Sequence, residues 1–113
     1  MQDPVLLCEL FDLYAPLLTE RQRDAFSLRY EGDLSLAEIA EQYDISRQGA
    51  HDAILHAEET LQKTEERLGF HQKTERLRAA LSRAEAASDP DEALRTLLRE
   101  LHGILEENES NGI

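Results

Sequence analysis

The side chains best suited to catalysis or metal binding are few, and their spacing serves neither purpose. The chain holds four histidines and one cysteine among 113 residues. His51 and His56 are five positions apart, which points them to different sides of a helix. His71 and His102 stand alone, so no group has the spacing of metal ligands. Without a glycine-rich phosphate loop either, the sequence predicts no enzyme activity and no cofactor.

Two other polar side chains occupy a more informative position. Arg47 and Gln48 directly follow Ser46, a residue type that caps helix N-termini, so they are predicted to be the first exposed residues of a helix. Arginine and glutamine hydrogen-bond to base edges and phosphates, and a recognition helix presents them from its first turn. His51 follows one turn later. These three residues are therefore candidate nucleic-acid contacts.

The segment SLAEIAEQYDISRQGAHDAI, which carries these candidates, has the anatomy of a helix-turn-helix. Ser35 and Glu38 form a capping box for a helix over 36–43. Ala40 is small where the two helices are predicted to cross, and Asp44 stands at the turn, where left-handed backbone is expected. Upstream, LTERQRDAFSLRY matches the bracing helix of sigma-factor region 4. The alternative is a plain helical hairpin.

The remaining segments predict further helices. Residues 4–15 carry apolar side chains at helical spacing, with Pro4 suited to the first position and Asp3 to the cap. Residues 71–87 form another helical stretch, and Asp89 followed by Pro90 starts a last helix rich in leucine. We therefore expect an all-α protein: a sigma-factor region 4-like helix-turn-helix domain over 1–69 and a two-helix C-terminal extension over 70–113.

Charge limits the partners that such a chain can have. It carries 12 basic and 24 acidic residues, a formal net charge of −12, which opposes non-specific binding to nucleic acid or anionic membrane. No apolar run reaches the roughly 18 residues that span a bilayer, and the N-terminus lacks the features of a signal peptide. The single cysteine, Cys8, cannot form an internal disulfide. We expect a cytoplasmic protein without membrane insertion.

The charge is unevenly distributed. Residues 19–61 contain four basic and ten acidic side chains, a balance of −6, whereas residues 63–83 have six basic and three acidic ones, a balance of +3. The second segment could grip RNA backbone or an acidic protein surface. Its alternative is a solvated helix held by ion pairs between neighbouring turns. The candidate contacts in this segment are Lys63, Arg67, Lys73, Arg76 and Arg78.

The predicted N-terminal and last helices each carry a stripe of large apolar side chains. We do not expect the rest of so short a chain to cover both stripes. The predicted last helix carries six large aliphatic residues, while the preceding helix offers mainly alanine as a mate. Pairing of two copies would bury these stripes, so we expect a two-fold homodimer. The alternative is that the N- and C-terminal helices pack on each other within one chain. The candidate interface residues are Leu6, Leu10, Phe11, Leu94, Leu97, Leu98, Leu101 and Leu105.

Residues 9–73 resemble the YlxM family of small bacterial proteins. The run LFDLYAPLLTERQR, the phrase DLSLAEIAEQYDISRQ and the charged helix that follows carry the resemblance. It implies a sigma-like protein of the DNA-binding type. The family's gene tends to lie beside that of the signal-recognition-particle GTPase, which implies a role in that targeting pathway or in regulating its genes. The sequence departs from the family at Gly49 and Ala50, where larger residues are usual, and at His51, where an aromatic is frequent.

Two functions of different classes follow. The first is a regulatory or accessory protein that binds DNA or RNA and is linked by resemblance to components of the signal recognition particle. The second is a protein-interaction or scaffold module that keeps the helix-turn-helix without reading DNA. The motif favours the first function, and the net charge favours the second.

Overall fold

The computed structural model describes residues 3–110, with side chains described as far as residue 107, and this part of the chain is helical without a strand. The prediction of an all-α fold is confirmed. A short 3-10 helix over Ala15–Leu17 separates the first two α-helices. The α-helices are α1 (Pro4–Tyr14), α2 (Glu20–Tyr30), α3 (Leu36–Tyr43), α4 (Arg47–Leu68), α5 (Phe70–Ala86) and α6 (Pro90–Ser110).

Side-chain caps set the starts of the helices, as the sequence predicts. The Thr19 hydroxyl accepts from the Gln22 amide at 3.2 Å, and the Gln22 side chain accepts from the Thr19 amide at 3.1 Å. The same reciprocal box joins Ser35 and Glu38, at 3.1 and 3.0 Å. Each box satisfies two amides that a helix N-terminus otherwise leaves unpaired. The capping box predicted at Ser35 is confirmed, and Thr19 forms a second one.

The turn between α3 and α4 depends on one residue in left-handed backbone. Asp44 has φ 53° and ψ 48°, a conformation that short polar residues tolerate better than most side chains. This reversal lets the Ile45 amide donate to the Ala40 carbonyl at 3.0 Å, which closes α3. Ser46 then accepts from the Gly49 amide at 2.9 Å and starts α4. The left-handed residue therefore ends α3, and the Ser46 cap starts α4.

The chain divides into two compact units, Met1–Gly69 and Phe70–Ile113. In the first unit, α1, α2 and α3 all pack against the long helix α4. Phe26, which is fully buried, stacks between Phe11 and Tyr30 at centroid distances of 4.6 and 4.3 Å. Tyr14 donates to Glu65 at 2.7 Å, and the Tyr30 hydroxyl donates to Glu58. These contacts fix α4 as the spine of the unit.

The second unit pairs α5 with α6 in an antiparallel hairpin. Ala80 on α5 and Ile104 on α6 are its buried residues in the described part. Arg83 donates to both carboxylate oxygens of Glu100, at 3.1 and 2.6 Å, and Arg76 pairs with a second α6 carboxylate. Within residues 3–110, no helix has both the length and the apolarity that crossing a membrane would require. The assignment of residues 1–69 to a helix-turn-helix domain and of residues 70–113 to a C-terminal extension stays a prediction.

Candidate nucleic-acid interface

Small buried side chains position the helix-turn-helix. Ala40 on α3 is 7% exposed, and Ala50 on α4 is completely buried, so the two helices approach closely at this point. Ile39 lies buried beside them, in a cluster that also contains Ala53 and Ala25. Because the alanine side chain is small, the backbones of α3 and α4 can approach closely where they cross. This packing fixes the direction of the first turn of α4.

The first turn of α4 presents the predicted contacts to solvent. Arg47 and Gln48 are both exposed, as is His51 one turn later. Arg47 forms no ion pair or hydrogen bond through its side chain with any residue in the described range, so its guanidinium is available to a ligand. The Gln48 amide instead donates to Asp52 at 2.9 Å. The structure thus brings Arg47, Gln48 and His51 together on one helix end.

Asp52 adds a negative charge to the same surface. The Gln48 hydrogen bond, and secondarily His51, lower the pKa of the Asp52 carboxyl from its ordinary value. The His51 Nδ1 atom lies 3.5 Å from the same carboxylate. A carboxylate with a lowered pKa is ionised at neutral pH, so this surface carries one guanidinium and one carboxylate. It provides hydrogen-bond donors but no net positive field.

The first unit as a whole is strongly acidic. Residues 1–69 contain six basic and fifteen acidic side chains, a formal charge of −9. A surface of this sign repels phosphate at a distance, and the repulsion weakens as salt screens it. Any nucleic-acid contact here therefore depends on short-range hydrogen bonds and not on a broad basic patch.

Lys63 and Arg67 do not belong to the same site. Both are exposed on the last turns of α4. Lys63 is 16 residues after Arg47, about 24 Å along the helix at 1.5 Å per residue. A ligand that covers the first turn of α4 would need to extend along the whole helix to reach both. These two cations form a separate, weaker candidate.

The cations of α5 are largely engaged with carboxylates. Arg76 pairs with Glu107, and Arg78 lies 3.7 Å from Glu75. Lys73 is half-buried. The charge balance of +3 includes only the residues of segment 63–83. The carboxylates that pair with α5 belong mainly to α6, such as Glu100 beside Arg83. The ion pairs of Arg76 and Arg78 favour the ion-paired alternative for α5, and binding of a partner by this segment stays a prediction.

Comparison with known proteins gives the family. The model for the family UPF0122, described as "Putative helix-turn-helix protein, YlxM / p13 like", matches residues 1–101. The chain belongs to this family. It is 44% identical over 100 residues to a UPF0122 protein of Symbiobacterium thermophilum, covering 86% of this chain and 94% of the relative. The description of the family is that of a helix-turn-helix protein.

Other UPF0122 relatives align over similar lengths. The Geobacillus kaustophilus protein is 43% identical over 96 residues, covering 81% of this chain and 87% of its own length. The Listeria monocytogenes protein is 39% identical over 99 residues, covering 84% and 90% respectively. The resemblance to the YlxM family that the sequence indicates is thereby confirmed.

One contact that supports the turn of this UPF0122 protein was not foreseen from its sequence. The Arg21 guanidinium lies over the Tyr43 ring, 5.9 Å from its centroid. Burial, and then the nearby Asp24 carboxylate, raise the pKa of the Tyr43 hydroxyl. This group joins the start of α2 to the end of α3, beside the turn. Arg21 and Tyr43 are 22 residues apart, so no local pattern connects them.

The candidate interface residues fall into two groups. Leu10 is buried in the core of the first unit, and Phe11 packs on Phe26. Both side chains are occupied within one chain, so we withdraw them from the proposed interface. Leu6 is partly exposed on α1. The five α6 candidates remain accessible: Leu94, Leu98 and Leu105 are exposed, and Leu97 and Leu101 are half-buried.

Proposed function

We propose that this UPF0122 protein is a regulatory or accessory protein whose helix-turn-helix contacts duplex DNA through the first turn of α4. The observation that carries the proposal is the arrangement of Asp44, Ser46 and Arg47. A left-handed residue and a helix cap turn an unpaired guanidinium outward at the start of a long helix. The major groove admits an α-helix in this orientation.

Each candidate side chain has a distinct role in this proposal. Arg47 donates to base edges or phosphates, because a guanidinium matches two adjacent acceptors. Gln48 exchanges its hydrogen bond with Asp52 for a base edge. His51, one helical turn further along α4, contacts the DNA backbone next to the bases that Arg47 and Gln48 contact. The Asp52 carboxylate penalises a phosphate placed close to it, which restricts how the helix can dock.

The acidic charge of the first unit makes a specific prediction about salt. Affinity for B-form DNA falls with salt with a slope of about 0.9 for each phosphate that a protein neutralises. This surface offers Arg47 and few other cations near it, so the slope should be small. Non-specific affinity should be weak for the same reason. Binding of this kind relies on the contacts of α4 and not on counterion release.

A selection followed by binding assays tests the proposal. The full chain selects duplexes from a random DNA library, and anisotropy measures affinity for an enriched duplex across a salt series. We expect Arg47→Ala to weaken specific binding by at least about tenfold, the order of one good base contact. Arg67→Ala is the matched control, because it removes an exposed cation from the same helix about 30 Å away.

Three outcomes would contradict the proposal. The first is that no duplex is enriched. The second is that specific binding survives Arg47→Ala and is lost in Arg67→Ala, which would move the contact to the other end of α4. Equal small losses in both variants would indicate non-specific attraction and would also contradict reading by the first turn.

The second candidate function is a protein-interaction or scaffold module that keeps the fold without reading DNA. The charge of −9 on the first unit and the carboxylate of Asp52 favour it. By resemblance, its partners would be protein components of the signal recognition particle. Capture from the native cytoplasm with and without nuclease discriminates the two functions. A partner that is retained after nuclease treatment and at high salt supports the second.

We also propose that the protein acts as a homodimer in the cytoplasm. The exposed leucines of α6 support the dimer, since a contiguous apolar surface rimmed by polar residues is typical of protein–protein contacts. Two-fold symmetry is the common solution for such a pair. Light scattering on the full chain tests this proposal, and a monomer at micromolar concentration contradicts it.

A further inference from the structure

The exposed apolar residues of the second unit are concentrated on its two helices. On α6, Leu94, Leu98 and Leu105 are 57%, 48% and 65% exposed. On α5, Leu77 and Leu81 are 38% and 53% exposed. Burial of these side chains against a partner surface is favourable, because it removes apolar area from water. The hairpin therefore offers an apolar surface to a partner.

These leucines share one side of the hairpin. On α5, Arg76 and Arg83 lie to one side of buried Ala80, whereas Leu77 and Leu81 lie to the other, because each residue advances about 100°. On α6, Glu100 lies to one side of buried Ile104. The other side carries a stripe of four leucines: Leu94, Leu98, Leu101 and Leu105. Since Arg83 binds Glu100, the ion pairs mark one side, and the leucines of both helices lie together on the opposite side.

The spacing of the α6 stripe has a symmetry of its own. Its four leucines are separated by four, three and four residues. This is the spacing of a coiled-coil seam, and it reads the same from either end. An antiparallel copy of the same helix therefore matches it throughout. Leu94 would meet the partner's Leu105, and Leu98 would meet the partner's Leu101.

We infer that a second copy of this chain covers the leucine face, with α6 packed antiparallel against the partner's α6. The inference rests on the proposed homodimer and names its interface. At roughly 100 Å² of apolar surface per fully exposed aliphatic side chain, the five exposed leucines provide roughly 250 Å² per copy. That suits the apolar centre of an interface of about 800 Å² per partner, with polar neighbours as its rim.

This pairing has a consequence for recognition. A dimer carries two copies of the α4 first turn. When both copies contact one duplex, that duplex contains two half-sites. The duplexes enriched by the wild-type chain should therefore contain two half-sites, and those enriched by a monomeric variant should contain one.

A pair of matched substitutions tests which surface forms the dimer. Leu98→Glu places a carboxylate at the centre of the proposed interface, and Leu13→Glu places one on α1 at similar exposure, 42% against 48%. By light scattering, we expect the wild type and Leu13→Glu to be dimers and Leu98→Glu to be a monomer. Circular dichroism on each variant confirms that the helices persist, because both sites are exposed.

Crosslinking tests the antiparallel direction. In a chain with Cys8→Ser, Leu94→Cys and Leu105→Cys variants are prepared separately, and each is treated with a bis-maleimide shorter than the 11-residue separation of about 16 Å. Antiparallel pairing predicts that neither variant crosslinks alone and that their mixture does. A parallel pair would crosslink within each variant and would overturn the inferred direction.

The outcomes separate this inference from the dimer proposal beneath it. A wild-type monomer overturns both. A dimer that persists in Leu98→Glu keeps the homodimer and overturns the α6 interface. A dimer lost in both glutamate variants, with helices intact, also overturns the assignment to α6 alone.

Discussion

Replacing Ala40 by leucine probes the crossing of α3 and α4 directly. Ala40 is 7% exposed and lies in a cluster in which Ala25, Ala50 and Ala53 keep the helices close. Three added carbons have no space there without displacing a helix or forcing strained rotamers. Leucine and alanine have similar helix propensities, so the helix itself is not weakened. Any loss therefore reports the packing.

The expected cost of Ala40→Leu is about 1–3 kcal/mol, the usual range for overpacking a filled core. For a unit of this size, each kcal/mol lowers the melting temperature by about 4–8 °C. Thermal and urea unfolding followed by circular dichroism measure the change. Ala37→Leu is the matched control, since Ala37 lies on the same helix and is exposed. It should melt close to the wild type.

An unchanged melting temperature for Ala40→Leu would refute the reasoning. It would mean that α3 and α4 do not approach closely at this residue, and the helix-turn-helix geometry would fail with it. An equal loss in Ala37→Leu would show a non-specific effect of leucine on α3 and would refute the packing argument as well.

Two further predictions concern caps and tyrosines. Ser35→Ala removes the acceptor for the Glu38 amide and should cost about 1 kcal/mol by urea unfolding; no change would contradict the role of the box. Burial, then the Glu58 hydrogen bond, raise the pKa of the Tyr30 hydroxyl, and the pKa of Tyr43 is raised as well. A tyrosine whose pKa is raised in the folded state contributes stability that is present below about pH 10 and is lost above it. The free energy of unfolding should therefore fall at alkaline pH, and it should fall less steeply in Tyr30→Phe. Tyrosinate absorbance measures the titration, and an ordinary pKa for both Tyr30 and Tyr43 would contradict it.

Local chemistry made the helix boundaries predictable. The starts of α1, α2, α3, α4 and α6 each depend on a cap or a proline within a few residues. The left-handed turn was predictable for the same reason, because Asp44 is a residue type that tolerates positive φ. Such signals act over one helical turn and need no knowledge of the fold.

Contacts between distant segments could not be predicted in this way. The periodicity of α1 predicts that Leu10 lies on its apolar face but does not indicate which residues cover it. In the structure, Leu10 is buried in the core of the first unit. The same limit applies to Arg83, whose partner Glu100 is 17 residues away, and to Tyr14, whose partner Glu65 is 51 residues away. Pairing of this kind depends on which helices meet, a property of the whole chain.

The candidate site was predicted in its position but not in its electrostatics. Ser46 identified Arg47 and Gln48 as the first exposed residues of α4, and they are exposed there. The hydrogen bond from Gln48 to Asp52 joins residues four apart, a spacing at which helix side chains meet, so the sequence contained that signal too.

The most direct test of recognition by α4 is chemical-shift mapping on the labelled full chain during titration with an enriched duplex. We expect the largest amide and side-chain shifts at Arg47, Gln48 and His51, with the Gln48 side chain changing as it leaves Asp52. The α6 signals should stay unchanged, because the proposed dimer covers that helix with the partner copy. Shifts confined to α5 or α6, or no shifts at duplex concentrations well above the protein, would contradict it.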